Sequence, residues 1–468
     1  MSDSTPTSPG EPFEDHAILG SNPSGERPAL RRDAGRWILP GSGPLWGADA
    51  RFQFVWKKVS GDVALAATLP EGEVGLMIRA SLETPCPSAV ALLVPGGRPV
   101  LQTCDSPGAD RRELVASSTG HRRIRLERRG DYLSISTAGA NGGWEATGGS
   151  VRIPLPESVY LGVAAWDCGA SGAGFEEPVY SALTPGSGRM VCALEILELA
   201  TLRRSVVYRT EQHIEAPNWS RDGASLIFNG GGRLYRISTD GGAPQPVDTG
   251  FATRCNNDHG LSPDGSLIAI SDHTEEDRSL IYVLPSAGGA PRRITRNGPS
   301  YWHGWSPDGR TLAYCAQRDG AFGIFTIPAG GGEETRVTTA APGGLDDGPD
   351  YSPNGAWIYF NSDRTGRMQI WRVRPDGSEL EQVTFDDANN WFAHPSPDGR
   401  HVVLLTYGAD VTGHPPNKDV SLRALPAVGG NPRVLARFFG GQGTINVPSW
   451  SPDAKRFAFV SYQLLPTA

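Results

Sequence analysis

No run of apolar residues in this sequence approaches the roughly 18 that a membrane-spanning helix needs. Its opening, MSDSTPTSPGEPFEDHAILGSNPSGERPALRRD, lacks the apolar core of a secretory leader. A cytoplasmic location with no membrane span is therefore expected. Basic residues are scattered without a stripe, and the formal net charge is −8, which argues against a nucleic-acid partner. The six cysteines, Cys86, Cys104, Cys168, Cys192, Cys255 and Cys315, show no CxxC or other metal spacing. In a reducing compartment they are expected as small buried apolar residues. No Gly-x-Ser-x-Gly elbow occurs, so no catalytic serine can be assigned. The first 33 residues are rich in Pro, Ser, Gly and acidic side chains, and a disordered tail is expected over 1–33.

What the chain does have is turns. With 59 Gly and 39 Pro in 468 residues, it reads as an all-β chain of two or three domains. From 34 to 187 the pattern alternates with period two. Phe52, Phe54 and Trp56 alternate with other residues, and Ile124 and Leu126 lead through Arg129-Gly130-Asp131 into Leu133 and Ile135, as in a hairpin. The stretches VGLMIRA and VYLGVAAW are apolar throughout, as strands in the core of a β-sandwich are. The segments VSGDVALAATL, GLMIRA, RIRLERRGDYLSIS and YLGVAAW resemble a concanavalin-like β-sandwich family of unknown function found beside sugar-active modules. The resemblance implies a carbohydrate-binding sheet face. Trp46, Trp56, Trp144 and Trp166 are then either stacking platforms or core.

From 188 to 468 a short motif recurs: SRDG at Ser220, SPDG at Ser262, Ser306 and Ser396, SPNG at Ser352 and SPDA at Ser451. Pro presets φ at the first central position of a turn, and Asp-Gly or Asn-Gly completes it. Strands such as LIAIS, TLAYCA and HVVLLTY follow each turn, and further strands such as LIYVLP and GIFTIP come after a second turn. Four strands at a period in the forties is a β-propeller blade. Six turns predict six blades. The last is expected to be completed by Ala193–Glu198 and Arg204–Arg209, which removes exposed sheet edges. The W-S-P-D-G pattern resembles the TolB-type (PD40) propellers; in TolB itself the propeller is an exported protein-binding module, and with no export signal read here that role is not carried over.

In a four-stranded meander, the Ser-Pro-Asp-Gly turns lie on one face, and the entries to the innermost strands lie on the other. That second face collects Glu215; Asn256, Asn257, Asp258 and His259; Tyr301, Trp302 and His303; Asp346 and Asp347; Asn389, Asn390, Trp391 and His394; and Gln442, Thr444 and Asn446. The insertion GADVTGHPPNKD brings His414, Asn417 and Lys418 to the same rim. Polar groups that converge in a concavity form a ligand site, or else line a wet channel.

Three chemistries stay open. His259, His303 and His394, with Gln442 or Asp347, have the donor types for a divalent metal such as Mn, Zn or Ca, with His303, His414 or Lys418 moving a proton. In this the fold and mouth resemble the oligogalacturonate lyases, which carry Mn in the propeller channel and cleave acidic sugars by elimination. Their closely spaced His-x-His pair does not occur here. A non-catalytic scaffold would instead hold a glycan, an oligosaccharide or a protein partner through Asn257, Asp258, Tyr301, Trp302, Asp346, Trp391, Asn417 and Asn446. The third reading is hydrolysis by Asp258, Asp346 and Asp347.

Overall fold

The computed structural model describes residues 12–20, 30–41, 43–47, 49–106, 109–116, 120–139, 143–183, 188–339 and 344–466. Among the described residues there are strands and turns and no α-helix. Two compact units form. One takes the chain up to Arg189 together with Leu202–Val206, and the other is Met190–Thr201 with Val207–Leu464.

The first unit holds two antiparallel ladders. One runs in the order Asp15–Gly20, Arg51–Ser60, Ser158–Ala165, Val74–Arg79, Ser88–Val94, Arg98–Cys104 and Arg112–Val115. The other includes Tyr132–Ala138, Arg123–Arg129, Val63–Thr68, Gly169–Ala182 and Arg36–Gly41. The hairpin read from the alternation is present, with Leu126 opposite Ile135 and Gly130 at φ +55°. The tail is a correction. Asp15–Gly20 pairs along Arg51–Trp56, and Phe13 is buried edge-on against Trp37, Phe175 and Tyr180. Most of the remainder of 1–33 lies outside the described residues. The low charge of AILG, next to an unpaired strand edge, outweighs the Pro/Ser/Gly composition around it.

The second unit contains four separate four-stranded antiparallel sheets, over Ile214–Pro246, Cys255–Arg293, Ser300–Arg336 and Asp346–Gln382. A further antiparallel ladder covers Asn389–Gly441. Beyond it Arg456–Pro466 neighbours Gly188–Glu198 in strand order, and Trp450 bridges to Phe457. Adjacent sheets share apolar seams. Ile227 and Leu234 pack with Ile268, Ile270 and Tyr282, and Ala313 and Ile324 pack with Ile358 and Phe360.

The recurring turn works through its side chains. Ser306 Oγ donates to Asp308 Oδ1 at 2.6 Å and accepts from Thr311 N at 2.9 Å, and Gly309 N donates to Ser306 O at 2.8 Å. Gly309 sits at φ +71°, a region that favours glycine. The tryptophan before the serine ties neighbouring sheets together. Trp305 Nε1 donates to Gly260 O at 3.1 Å, and Trp450 Nε1 donates to His394 O at 2.8 Å.

Candidate functional site

Each of the five innermost strands carries a register shift, at Glu215/Asn218, Cys255/His259, Trp302/Gly304, Asp347/Asp350 and Trp391/His394. A bulge inserts an unpaired residue and re-aims its neighbours. Here the bulges lie where the strands enter the sheets, at the level of the polar residues. Phe392 takes φ +51° and Gly348 takes φ +61°. A Cβ on Gly348 would come within 2.7 Å of Asn361 Oδ1 and 3.0 Å of Phe392, so glycine is required there.

These strands enclose a cavity of about 520 Å³, lined by Glu215, Asn256, Asn257, Asp258, Tyr301, His303, Cys315, Phe322, Leu345, Asp347, Phe392, His414, Gln442 and Asn446. Asp347 and His303 meet in its lining. His303 Nε2 lies 3.3 Å from Asp347 Oδ1, and His303 Nδ1 lies 3.1 Å from Asn446 O. His414 Nε2 is 3.7 Å from Asp347 Oδ2. Gly348 N donates to Asp347 Oδ1 at 2.7 Å. Phe392 stacks on His303 at 6.2 Å between centroids and meets His414 edge-on at 5.2 Å.

The electrostatics follow from this arrangement. Burial opposes the charge of His303, but the charge of Asp258 and the contact with Asp347 prevail, and its pKa is raised to about 9. Asp347 is also disfavoured as an anion by burial; the hydrogen bond and charge of His303 overcome this and hold it below the usual carboxylate range. Burial pushes Asp258 up to about 7, reinforced by Asp347 and partly offset by His303 and by Asn256, whose Nδ2 donates to Asp258 Oδ2 at 2.7 Å. Burial lowers His414. At neutral pH His303 is therefore an imidazolium beside an ionised Asp347, with Asp258 near its midpoint.

The structure brings together His303, His414, Asp347, Asp258, Asn257, Tyr301, Gln442 and Asn446, and it does not bring the other expected residues to the cavity. Lys418 and Asn417, on the strand Pro416–Pro426, are exposed and do not line it. Trp302 and Trp391 are each 1% exposed. Trp302 belongs to the seam between sheets and covers Gly260, which leaves no face for a ligand. Asp346 is fully buried, gripped through both carboxylate oxygens by Arg364 Nη2 at 2.8 Å.

The expected metal set is likewise a correction. His259 points Nδ1 at Asn257 O (3.2 Å) and Nε2 at Ile227 O (3.5 Å), and burial lowers its pKa to about 4. His394 is held between Asp350 Oδ2 at 3.0 Å and Ile445 O at 2.6 Å. With their nitrogens turned to these partners, His259, His303, His394, Gln442 and Asp347 do not form one ligand shell, and among the described residues no group of three His, Cys, Asp or Glu side chains is placed to hold a metal.

Phe392, Cys315, Phe322 and Leu345 line the cavity and were not placed there by the sequence. Phe392 lies in the register shift between Trp391 and His394, and it lines the cavity where its neighbour Trp391 does not. The only sequence signal was the offset of His394 against His303, one residue nearer its turn serine than the repeat demands.

Comparison with known proteins locates the likeness in this unit. The PD40 family model, described as the TolB beta propeller domain, matches residues 302–414. An uncharacterized protein of Agrobacterium fabrum is 54% identical over 279 residues, covering 59% of this chain and 94% of that protein. A solved TolB-designated structure from Agrobacterium tumefaciens is 53% identical, covers 59% of this chain and all of that one, and superposes with a TM-score of 0.58. The Tol-Pal system protein TolB of Francisella tularensis is 27% identical over 262 residues, which span 56% of its length.

Proposed function

We propose, from the premise that this chain belongs to the TolB-like PD40 β-propellers, that the cavity binds an uncharged carbohydrate. On this reading the propeller has six blades, and Gly188–Glu198 beside Arg456–Pro466 completes the sixth. The observation that carries the proposal is the cavity's composition. Amides of Asn257, Gln442 and Asn446 and the carboxylates of Asp258, Asp347 and Glu215 offer the mixed donors and acceptors that hydroxyl groups need, and Tyr301, which is partly exposed, offers a ring. No Lys or Arg lines it among the described residues, so an acidic sugar would meet Asp347 with only His303 to offset it. That argues for a neutral ligand over the uronates of a lyase.

Calorimetric titration of the full chain with neutral oligosaccharides and with oligogalacturonate tests this. Neutral glycans are expected to bind, and Asp347→Asn to weaken them by about tenfold, equivalent to about 1.4 kcal/mol. Tighter binding of the uronate, or no binding of either, defeats the proposal.

A second reading rests on the split between two carboxyls that share His303: Asp258 raised to about 7 and Asp347 held low. Such a split marks a general acid and its ionised partner. Hydrolysis of a bound glycan would then be lost in Asp258→Asn while binding persists, and retained turnover in that variant excludes it.

A further inference from the structure

The first unit contains a second cavity, of about 710 Å³, remote in sequence from the residues that line the first. Its walls are mostly apolar, with Leu45, Trp46, Phe52 and Met77 among them, and Arg79, Cys86 and Arg111 are set into the lining. Arg79 is 2% exposed. A guanidinium stays charged when buried, and a buried charge needs compensation. Among the described residues no carboxylate pairs with it. Its Nε donates to Ser81 O at 3.0 Å, and its Nη2 donates to Glu83 O at 3.0 Å and reaches Cys86 Sγ at 3.3 Å. Its plane lies over Phe52 at 5.1 Å. Nη1 meets only Met77 Sδ, at 3.9 Å, a weak acceptor. The carbonyls fix the orientation of the guanidinium without neutralising it. One edge remains for an anion.

We propose that this cavity is a binding site for a monocarboxylate with an aromatic body. The carboxylate is received by Arg79 Nη1, and the ring lies among Trp46, Phe52, Leu45 and Met77. Trp46 is steadied for this by donating Nε1 to Gln102 Oε1 at 2.8 Å. Charge-assisted hydrogen bonds in a dry site are stronger than neutral ones, so the pocket distinguishes the acid from its neutral isostere. The two cavities share no lining residue, so Asp347→Asn is expected to leave naphthoate binding here unchanged.

The experiment uses the full chain with 2-naphthoate and 2-naphthamide as probes. Calorimetry is expected to give at least tenfold tighter binding of the acid. Naphthoate should also slow alkylation of Cys86 by iodoacetamide, followed by mass spectrometry of the Cys86 peptide. Arg79→Met is expected to abolish the preference for the acid. Because that change also removes the anchors of the 81–86 loop, Ala109→Trp provides a second variant: it keeps Arg79, crowds the cavity lining and should remove binding of both probes. Equal affinity for acid and amide, absence of naphthoate binding, or naphthoate binding that survives Ala109→Trp with Cys86 unprotected overturns the proposal.

Discussion

His303 is the residue on which the channel chemistry turns. An imidazole this buried is ordinarily neutral, and Asp258 and Asp347 reverse that. Its raised pKa means that its contribution to stability is complete below about 6.5 and is lost as pH rises through about 9. Asp258 acts in the same direction at lower pH. Its folded value is raised from 3.8 to about 7, so across that window the unfolded chain has released a proton that the folded chain still holds, and stability falls as pH rises. The lowered values of His259 and His414 act in the opposite sense over the same window, so the readout is a difference: the urea midpoint of Asp258→Asn relative to the unmodified chain should rise between pH 4 and pH 7. In Asp347→Asn the titration of His303, followed by histidine NMR, should move down toward the ordinary imidazole value. A His303 pKa unmoved by that change would mean that Asp347 is not its partner.

At the level of the element, the innermost strands carry the site because they are irregular. The sequence places Trp302, His303 and Trp391 together at the mouth; in the structure His303 and Phe392 line the cavity and the two indoles do not. The displaced indoles become packing. A Cβ on Gly260 would lie 2.2 Å from the Trp302 ring, so Gly260→Ala should force that ring out of its seam and cost about 1–3 kcal/mol, read as a lower denaturation midpoint. The turn motif, by contrast, was legible residue by residue. Its serine, aspartate and glycine have one local job each, within a few positions of one another, and no distant contact is needed to see it. Ala454 departs from the motif by taking φ +57° where the other copies place glycine. Ala454→Gly should raise stability by about 1 kcal/mol on denaturation.

At the level of the whole molecule, the six turns and the strands between them predict the repeated four-stranded sheets. If Gly188–Glu198 completes the last blade, residues 188–468 should unfold in one cooperative transition, whereas 211–468 should melt broadly and be cleaved readily, because the edge of Arg456–Pro466 is then left unpaired. Equal cooperativity in the two fragments would show that the upstream strands are dispensable.

Sequence alone determined the elements whose cause is local: the turns, the alternation, the repeat, and the face on which polar residues gather. The tertiary structure decided which of those polar residues meet. Asp347 reaches both His303 and His414 across stretches of chain that no short-range pattern links. His259 and His394, alike in type and nearly alike in position, turn instead to backbone carbonyls and Asp350. A single bulge reverses the side of a strand that a residue faces, and a bulge is set by packing between sheets, which a single strand's sequence does not record.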